Sequence, residues 1–343
     1  MHQPFLFGIK RGLDMMVNNH DKKLVSMIIP TYNRAGMIER VLNSVWSQTY
    51  RPIQLLVVND GSPDNTVEVV TRWIAGHSSD PGFSCKLIDQ PNSGGCVARN
   101  NGLKQVEGEY VQFFDDDDEL LPDAFQLHVD NLKKHPDIDA SLGQAVYVRQ
   151  DGSELMRTRF YAGYFRRPGL SRIAIESLPS PSFMLFRREF LCRNDLCWDE
   201  KMPCGQDTDL MVRAFICRPA VRLLPDTVCR IYMHDRSHVS ARLNDKKEKV
   251  NQYLIPKWLE YAGSHGCASG NIKSVLSYFI FAMFMKNRTN DYDEYINRCG
   301  LAVDNDCFHY FCMKMVLLSY RFLPAAKVFH KINRKLMKIC NMR

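Results

Sequence analysis

A chain of 343 residues with 45% apolar and 24% charged residues can bury a sizeable core, which excludes wholesale disorder. Its longest strongly apolar run, 275–285, is interrupted by Ser277 and falls short of the roughly 18 to 20 residues that cross a bilayer, so no transmembrane helix is expected. The formal charge of +7 belongs to one end: residues 314–343 hold eight Lys or Arg and no Asp or Glu, which leaves −1 for the rest and argues against a nucleic-acid channel through the core.

In chain order, the extension 1–23 places Lys10 and Arg11 after a short apolar patch, the reverse of a secretory signal, so a cytoplasmic chain is expected. From residue 24 to about 114, β-rich runs alternate with amphipathic stretches, the rhythm of a βαβ sheet. The pattern predicts a strand over 24–30, a helix carrying Met37, Ile38, Val41, Leu42, Val45 and Trp46, and a second strand over 53–58. A helix over 66–74 with Val67, Val70 and Ile74 on one stripe follows, then a short strand over 85–89 and a helix over 97–106. A fourth strand over 110–114 ends abruptly in four aspartates, and Pro122 suits the first turn of the next helix. Past 135 the pattern is less regular, with strands over 140–148 and 182–186 and a helix over 207–217. From 250 onward the chain reads as mostly helical, and the charge cluster at 243–249 marks the end of the body. Three parts are therefore expected: 1–23, 24–245 and 246–343. Twelve cysteines, scattered from Cys85 to Cys340 without C-x-x-C pairs, read as small core residues rather than a disulfide or zinc framework.

Ligands of an open α/β sheet collect outside the carboxyl ends of its strands, and three polar clusters fall there. Pro30-Thr31-Tyr32-Asn33-Arg34 follows the first strand, Asn59-Asp60-Gly61-Ser62 the second and Asp115 to Asp118 the fourth. Asn-Asp-Gly-Ser is good turn chemistry, while an Asp at such a strand end can also accept a hydrogen bond from a base N–H, favouring uracil or thymine. Four adjacent carboxylates repel one another unless solvent or a cation neutralises them. Continued strand geometry would send Asp115 and Asp117 to one face and Asp116 and Asp118 to the other. Oxygen-only ligands suit Mg²⁺ or Mn²⁺, with a substrate diphosphate completing the shell; a solvated acidic loop is the alternative. Asn92-Ser93-Gly94-Gly95 leads into Ala98-Arg99-Asn100-Asn101-Gly102 and matches neither a dinucleotide-fold nor a P-loop glycine spacing. It is either a plain helix-opening loop or a place where backbone approaches a ligand and Arg99 pairs with phosphate. Asp207 stands at a helix start, where it is either a cap or a general base that takes a proton from an attacking hydroxyl.

Together these segments, over roughly 25–240, resemble glycosyltransferase family 2, the nucleotide-sugar transferases with the GT-A fold. The residues that carry the likeness are 25–34, 57–62, 92–102, 113–118 and 206–209. The resemblance implies an α/β fold: a GT-A type, Rossmann-like mixed sheet flanked by helices, here with a helical C-terminal extension. It implies that Pro30, Tyr32, Asn33 and Asp60 hold base and ribose with Arg99 nearby, and that Asp115, Asp116 and Asp117 form the D-x-D motif. Asp117 would be the direct metal ligand, assisted by Asp115, with His234 closing over the diphosphate unless it is structural. Asp207 matches the catalytic base. The implied reaction is inverting, with Mn²⁺ or Mg²⁺ as cofactor, moving one sugar from a UDP-sugar to a glycan or lipid-linked acceptor in surface polysaccharide biosynthesis. Gln206 departs from the Glu that commonly precedes the base, and the Q-x-x-R-W run of processive members is missing. A sugar-phosphate nucleotidyltransferase and a non-catalytic sugar-nucleotide binder are the competing readings.

In the tail, Phe322, Ala326, Phe329, Ile332, Leu336 and Ile339 share one helical stripe and Lys327, Lys331, Lys335 and Lys338 another. Such a helix either packs its apolar stripe on the body or docks on an anionic membrane surface, which would make the chain peripheral on the inner face of the cytoplasmic membrane.

Overall fold

The computed structural model describes residues 24–77, 79–158, 179–202, 204–217 and 219–233, together with 254, 257–258 and 260–265. The extension 1–23, His234, the charge cluster at 243–249 and the basic tail lie outside the described residues. The chain divides into two compact units, the first ending at Leu254. In the second, the described residues are largely helical, and Tyr261 stacks on His265 with ring centroids 4.0 Å apart.

The first unit is built on a mixed nine-stranded sheet among the described residues. Its strands are β1 (Val25–Thr31), β2 (Ile53–Asp60), β3 (Phe83–Gln90), β4 (Tyr110–Phe113), β5 (Glu119–Leu120), β6 (Ala140–Val148), β7 (Glu154–Arg157), β8 (Met184–Arg187) and β9 (Val221–Tyr232). The order β3-β2-β1-β4-β8-β6-β9-β5, with β7 on β6, joins a parallel half to a mixed half. β1, β2, β3 and β4 run parallel, whereas β8 is antiparallel to both β4 and β6. β1 and β2 are near-continuous apolar runs because both faces of the sheet are covered there.

The helices are α1 (Ile38–Trp46), α2 (Thr66–Gly76), α3 (Gly95–Leu103), α4 (Ala124–Lys134), α5 (Arg188–Arg193) and α6 (Gln206–Ile216). α3 crosses β1 and β2 at Gly102, where an added Cβ would lie 2.5 Å from Ile28 Cγ2. The amino ends of the parallel strands are tied by a buried polar network: Ser26 Oγ donates to Gln54 Oε1 at 2.5 Å, and the Gly108 and Glu107 N–H groups donate to Ser26 Oγ and Gln54 Oε1. With that end closed, the polar clusters are left at the carboxyl ends.

Several sequence expectations shift. The second strand extends past 58 to Asp60, so Asn59 and Asp60 stand in register with Asp89 and Gln90. The buried stripe of α2 is Thr66, Val69, Val70 and Trp73; Val67 and Ile74 flank it, because Trp73 joins an aromatic cluster with Trp46 and Phe83 that turns the helix. α3 occupies 95–103 rather than 97–106, and Pro122 precedes the Asp123 cap of α4 instead of lying in its first turn. The expected strand over 182–186 begins at Met184, after a 3-10 turn over Pro181–Phe183. β5, β7, β9 and α5 have no counterpart in the periodicity; β9 is interrupted by register shifts opposite Gln144 and mixes buried with exposed positions irregularly.

Candidate active site

The strand ends meet at a rim organised by Asp60. Its carboxylate is buried and accepts three hydrogen bonds, from Gln90 Nε2 (2.8 Å) and the Ser93 N–H (2.7 Å) on Oδ1 and from the Gly94 N–H (2.8 Å) on Oδ2. The loop 92–95 is therefore folded onto the end of β2, and Oδ2 keeps one lone pair for an external donor. Gly61 makes this possible: its φ is +68°, and a Cβ there would stand 2.6 Å from the Asn92 nitrogen. Asn33, at φ 57°, donates its N–H to Ser62 Oγ, joining the first and second clusters. Pro30 pairs with Val58 in the β1–β2 ladder, and Tyr32 projects with 47% of its surface exposed, free to cover a planar ligand.

Beyond Phe113 the strand ends, yet burial continues to alternate: Asp116 and Asp118 are buried, while the side chains of Asp115 and Asp117 are 38% and 21% exposed. The two outward carboxylates are the ones a ligand can reach. Arg34 spans the run, with Nε 3.2 Å from Asp116 Oδ1 and Nη2 3.5 Å from Asp117 Oδ2. Burial pushes the Asp116 carboxyl up to about 6, Arg34 pulling it down and Asp117 adding to the rise. Asp118 is also raised, by burial and then by Asp115 and Asp117, although the Tyr232 N–H donates to it at 2.9 Å.

Asp115, Arg99 and Asp207, remote in sequence, come together. Arg99 donates from Nη2 to Asp115 Oδ1 at 2.7 Å and from Nη1 to Gln206 Oε1 at 3.3 Å. Its guanidinium lies 4.5 Å from the Trp198 ring centre, a cation–π platform held in place by Asn100, which exchanges hydrogen bonds with both backbone groups of Trp198. Gly95 leaves room for this arrangement, since a Cβ there would be 3.0 Å from Arg99 Nη1. Asp207 lies in the first turn of α6, whose cap position is the left-handed Gly205, so Asp207 is not the cap. Its carboxyl is pushed up to about 6, first by burial and then by the charge of Asp115, against the opposing effects of Arg99 and a hydrogen bond from Ser180. A helix N-terminus alone would lower it; the surrounding protein and Asp115 reverse the sign before any acceptor binds.

Trp198, Ser180, Arg40 and Tyr232 belong to this neighbourhood and carry no local sequence signal, because they come from the irregular second half or, for Arg40, from the polar side of an ordinary amphipathic helix. Arg34 stands inside the first motif, but nothing in its sequence setting reveals its carboxylate partners 82 and 83 residues away. Among the described residues no group of three or more His, Cys, Asp or Glu encloses a metal position.

The model of glycosyl transferase family 2 matches residues 26–193. The uncharacterized glycosyltransferase EpsJ of Bacillus subtilis is 25% identical over 297 residues, covering 74% of this chain and 84% of that protein. The uncharacterized glycosyltransferase YibD of Escherichia coli is 34% identical over 32% of this chain, and the GalNAc(5)-diNAcBac-PP-undecaprenol beta-1,3-glucosyltransferase of Campylobacter jejuni 36% over 29%; the matches span 30% and 31% of those two proteins. The crystal structure of S. aureus TarS 1–349 in complex with UDP-GlcNAc superimposes with a TM-score of 0.61 at 23% identity, covering 81% of this chain and 80% of that one, a likeness of fold. The strand-end clusters are thus set on a GT-A scaffold, and it is residues 26–193 that match glycosyl transferase family 2.

Proposed function

We propose that the chain is an inverting, divalent-cation-dependent transferase that moves one sugar from a UDP-sugar to a hydroxyl of a glycan or lipid-linked acceptor in surface polysaccharide biosynthesis. The observation that carries this reading is the meeting of Asp207, in the first turn of α6, with the Arg99–Asp115 pair at the end of the fourth strand, where burial and Asp115 push the Asp207 carboxyl up to about 6. A base at that value is ionised at neutral pH and still basic enough to accept a proton as the acceptor oxygen attacks. That proton passes to Asp207, the new bond forms at the anomeric carbon from the face opposite the diphosphate, and the old C–O bond breaks with its electron pair leaving on UDP. Attack from the opposite face inverts the anomeric configuration.

Pro30, Tyr32, Asn33 and Asp60 line the strand ends assigned to base and ribose, and the remaining lone pair of Asp60 Oδ2 suits an imide N–H of uracil. The donor set fits a hard cation, because Mg²⁺ or Mn²⁺ takes one or two carboxylates and leaves the rest of its shell to water and diphosphate, so no closed protein cage is needed. Asp117 would hold it with Asp115 beside, and His234 is assigned as the further contact. Such a cation supplies Lewis-acid stabilisation of the leaving diphosphate. The UDP-GlcNAc bound by TarS and the PP-undecaprenol glycan in the name of the Campylobacter relative support the donor and acceptor classes. For the basic tail both readings stand, packing on the body or docking on an anionic membrane surface.

The test is release of UDP from a panel of UDP-sugars with Mn²⁺ or Mg²⁺, with and without EDTA. One donor is expected to be hydrolysed slowly and only with metal, and Asp117→Ala is expected to abolish that turnover in a folded protein. Turnover that persists in EDTA would remove the cation from the mechanism. Pyrophosphate release from a nucleoside triphosphate and a sugar phosphate would replace the reading with a nucleotidyltransferase.

A further inference from the structure

Arg34 touches the Asp117 carboxylate, whereas Arg40 touches the Asp117 main chain. In the first turn of α1, Arg40 donates from Nη2 to the Asp117 carbonyl oxygen at 2.5 Å and lays its guanidinium 3.8 Å from the centre of the Tyr232 ring. Tyr232 is itself fixed: its N–H donates to Asp118 Oδ1 at 2.9 Å and its hydroxyl to Glu119 Oε2 at 3.0 Å. Glu119 also pairs with Arg230 at 3.2 Å, opposite it in the β5–β9 ladder. Arg40 Nε is buried with no hydrogen-bond partner among the described residues. An orphaned donor is unfavourable for stability, so this placement is one that packing alone would not select.

We infer that Arg40, clamped on Tyr232, is a positioning residue that fixes the main chain at Asp117 and thereby aims the Asp117 carboxylate at the donor diphosphate and its cation. The inference rests on the transferase reading above. A planar guanidinium is required, because it stacks on a ring and donates sideways at the same time, which a lysine ammonium cannot do. The residues that orient a metal ligand typically change metal affinity by about 10- to 100-fold when lost.

Calorimetric titration of the full chain with UDP, once in MnCl₂ and once in EDTA, tests this on Arg40→Lys, Tyr232→Leu and the double variant, with melting temperatures recorded for each. Arg40→Lys and Tyr232→Leu are each expected to lose about tenfold or more of the UDP affinity measured in Mn²⁺ while keeping the wild-type affinity in EDTA. The double variant is expected to bind no more weakly than the worse single one, since both remove the same clamp. Tyr232→Phe, which keeps the ring, is expected to restore the affinity lost in Tyr232→Leu. Equal losses in both buffers would overturn the inference, because Arg40 would then act on the nucleotide or on folding in general. Unchanged affinity in a folded Arg40→Lys protein would overturn it too, and if that variant melts early, Tyr232→Leu decides. A wild-type protein that binds no UDP in either buffer would instead sink the nucleotide-sugar reading, and the inference with it.

Discussion

Asp207 illustrates how one side chain is set by contacts its local sequence does not reveal. Position in the first turn of a helix favours the charged carboxylate, yet burial and Asp115 raise it to about 6. Activity should therefore rise with pH through an apparent pKa near 6 and level off above it, and a pH–rate profile of kcat/KM checks this. Asp207→Asn should retain donor binding while transfer falls by about 10²- to 10⁴-fold. The same shift has a consequence for stability. A folded carboxyl whose pKa is raised above the ordinary 3.8 binds more protons than the unfolded one between that value and about 6, so wild-type stability declines as pH rises through that window. Asp207→Asn lacks this penalty and should be more stable than wild type by about 3 kcal/mol at pH 8, with the difference shrinking towards zero below about pH 4, as thermal melts across pH would reveal. Asp116 carries a shift of the same sign, so the variant removes only part of the slope.

Among the elements, the loops at strand ends depend on glycines for different reasons. Gly61 is needed twice over, for its positive φ and for the approach of the Asn92 backbone, so Gly61→Ala should detach the 92–95 loop from Asp60. The expected result is a stability loss of about 1 to 3 kcal/mol together with weakened UDP binding, measured by denaturant titration and calorimetry. Gly102 lies inside α3, where the obstacle is Ile28, a side chain of β1, rather than backbone. Gly102→Val should destabilise by about 1 to 3 kcal/mol through overpacking and leave UDP affinity nearly intact in the folded fraction. The parallel-half elements were legible because β1 and β2 are continuous apolar runs and α1 has a regular apolar stripe. β5 and β9 were not, since a two-residue strand has no period and β9 is defined by its partners β5 and β6 rather than by alternation.

For the whole molecule, charge is divided between a near-neutral body and a basic tail. If the tail meets an anionic surface, binding of the full chain to phosphatidylserine-containing vesicles should weaken steeply between about 0.1 and 0.5 M salt, because screening shortens the reach of exposed charge. Loss of vesicle binding on removal of residues 320–343 from a chain that still melts cooperatively would assign the effect to the tail, whereas unchanged binding would exclude it. The sequence by itself determined the strand-end motifs, their order and the βαβ rhythm, since these depend on local periodicity and on residues a few positions apart. The family could be read from that order, five modest motifs in succession. Only the tertiary structure decided which groups share an environment: that Arg99 is gripped by Asp115, Gln206 and Trp198, that the oxygens of Asp60 are largely engaged by a loop 33 residues away, and that Asp207 is a raised carboxyl rather than a cap. The reason is physical, because desolvation and charge–charge interactions depend on distance in space, and the chain brings these residues together only when the sheet closes around them.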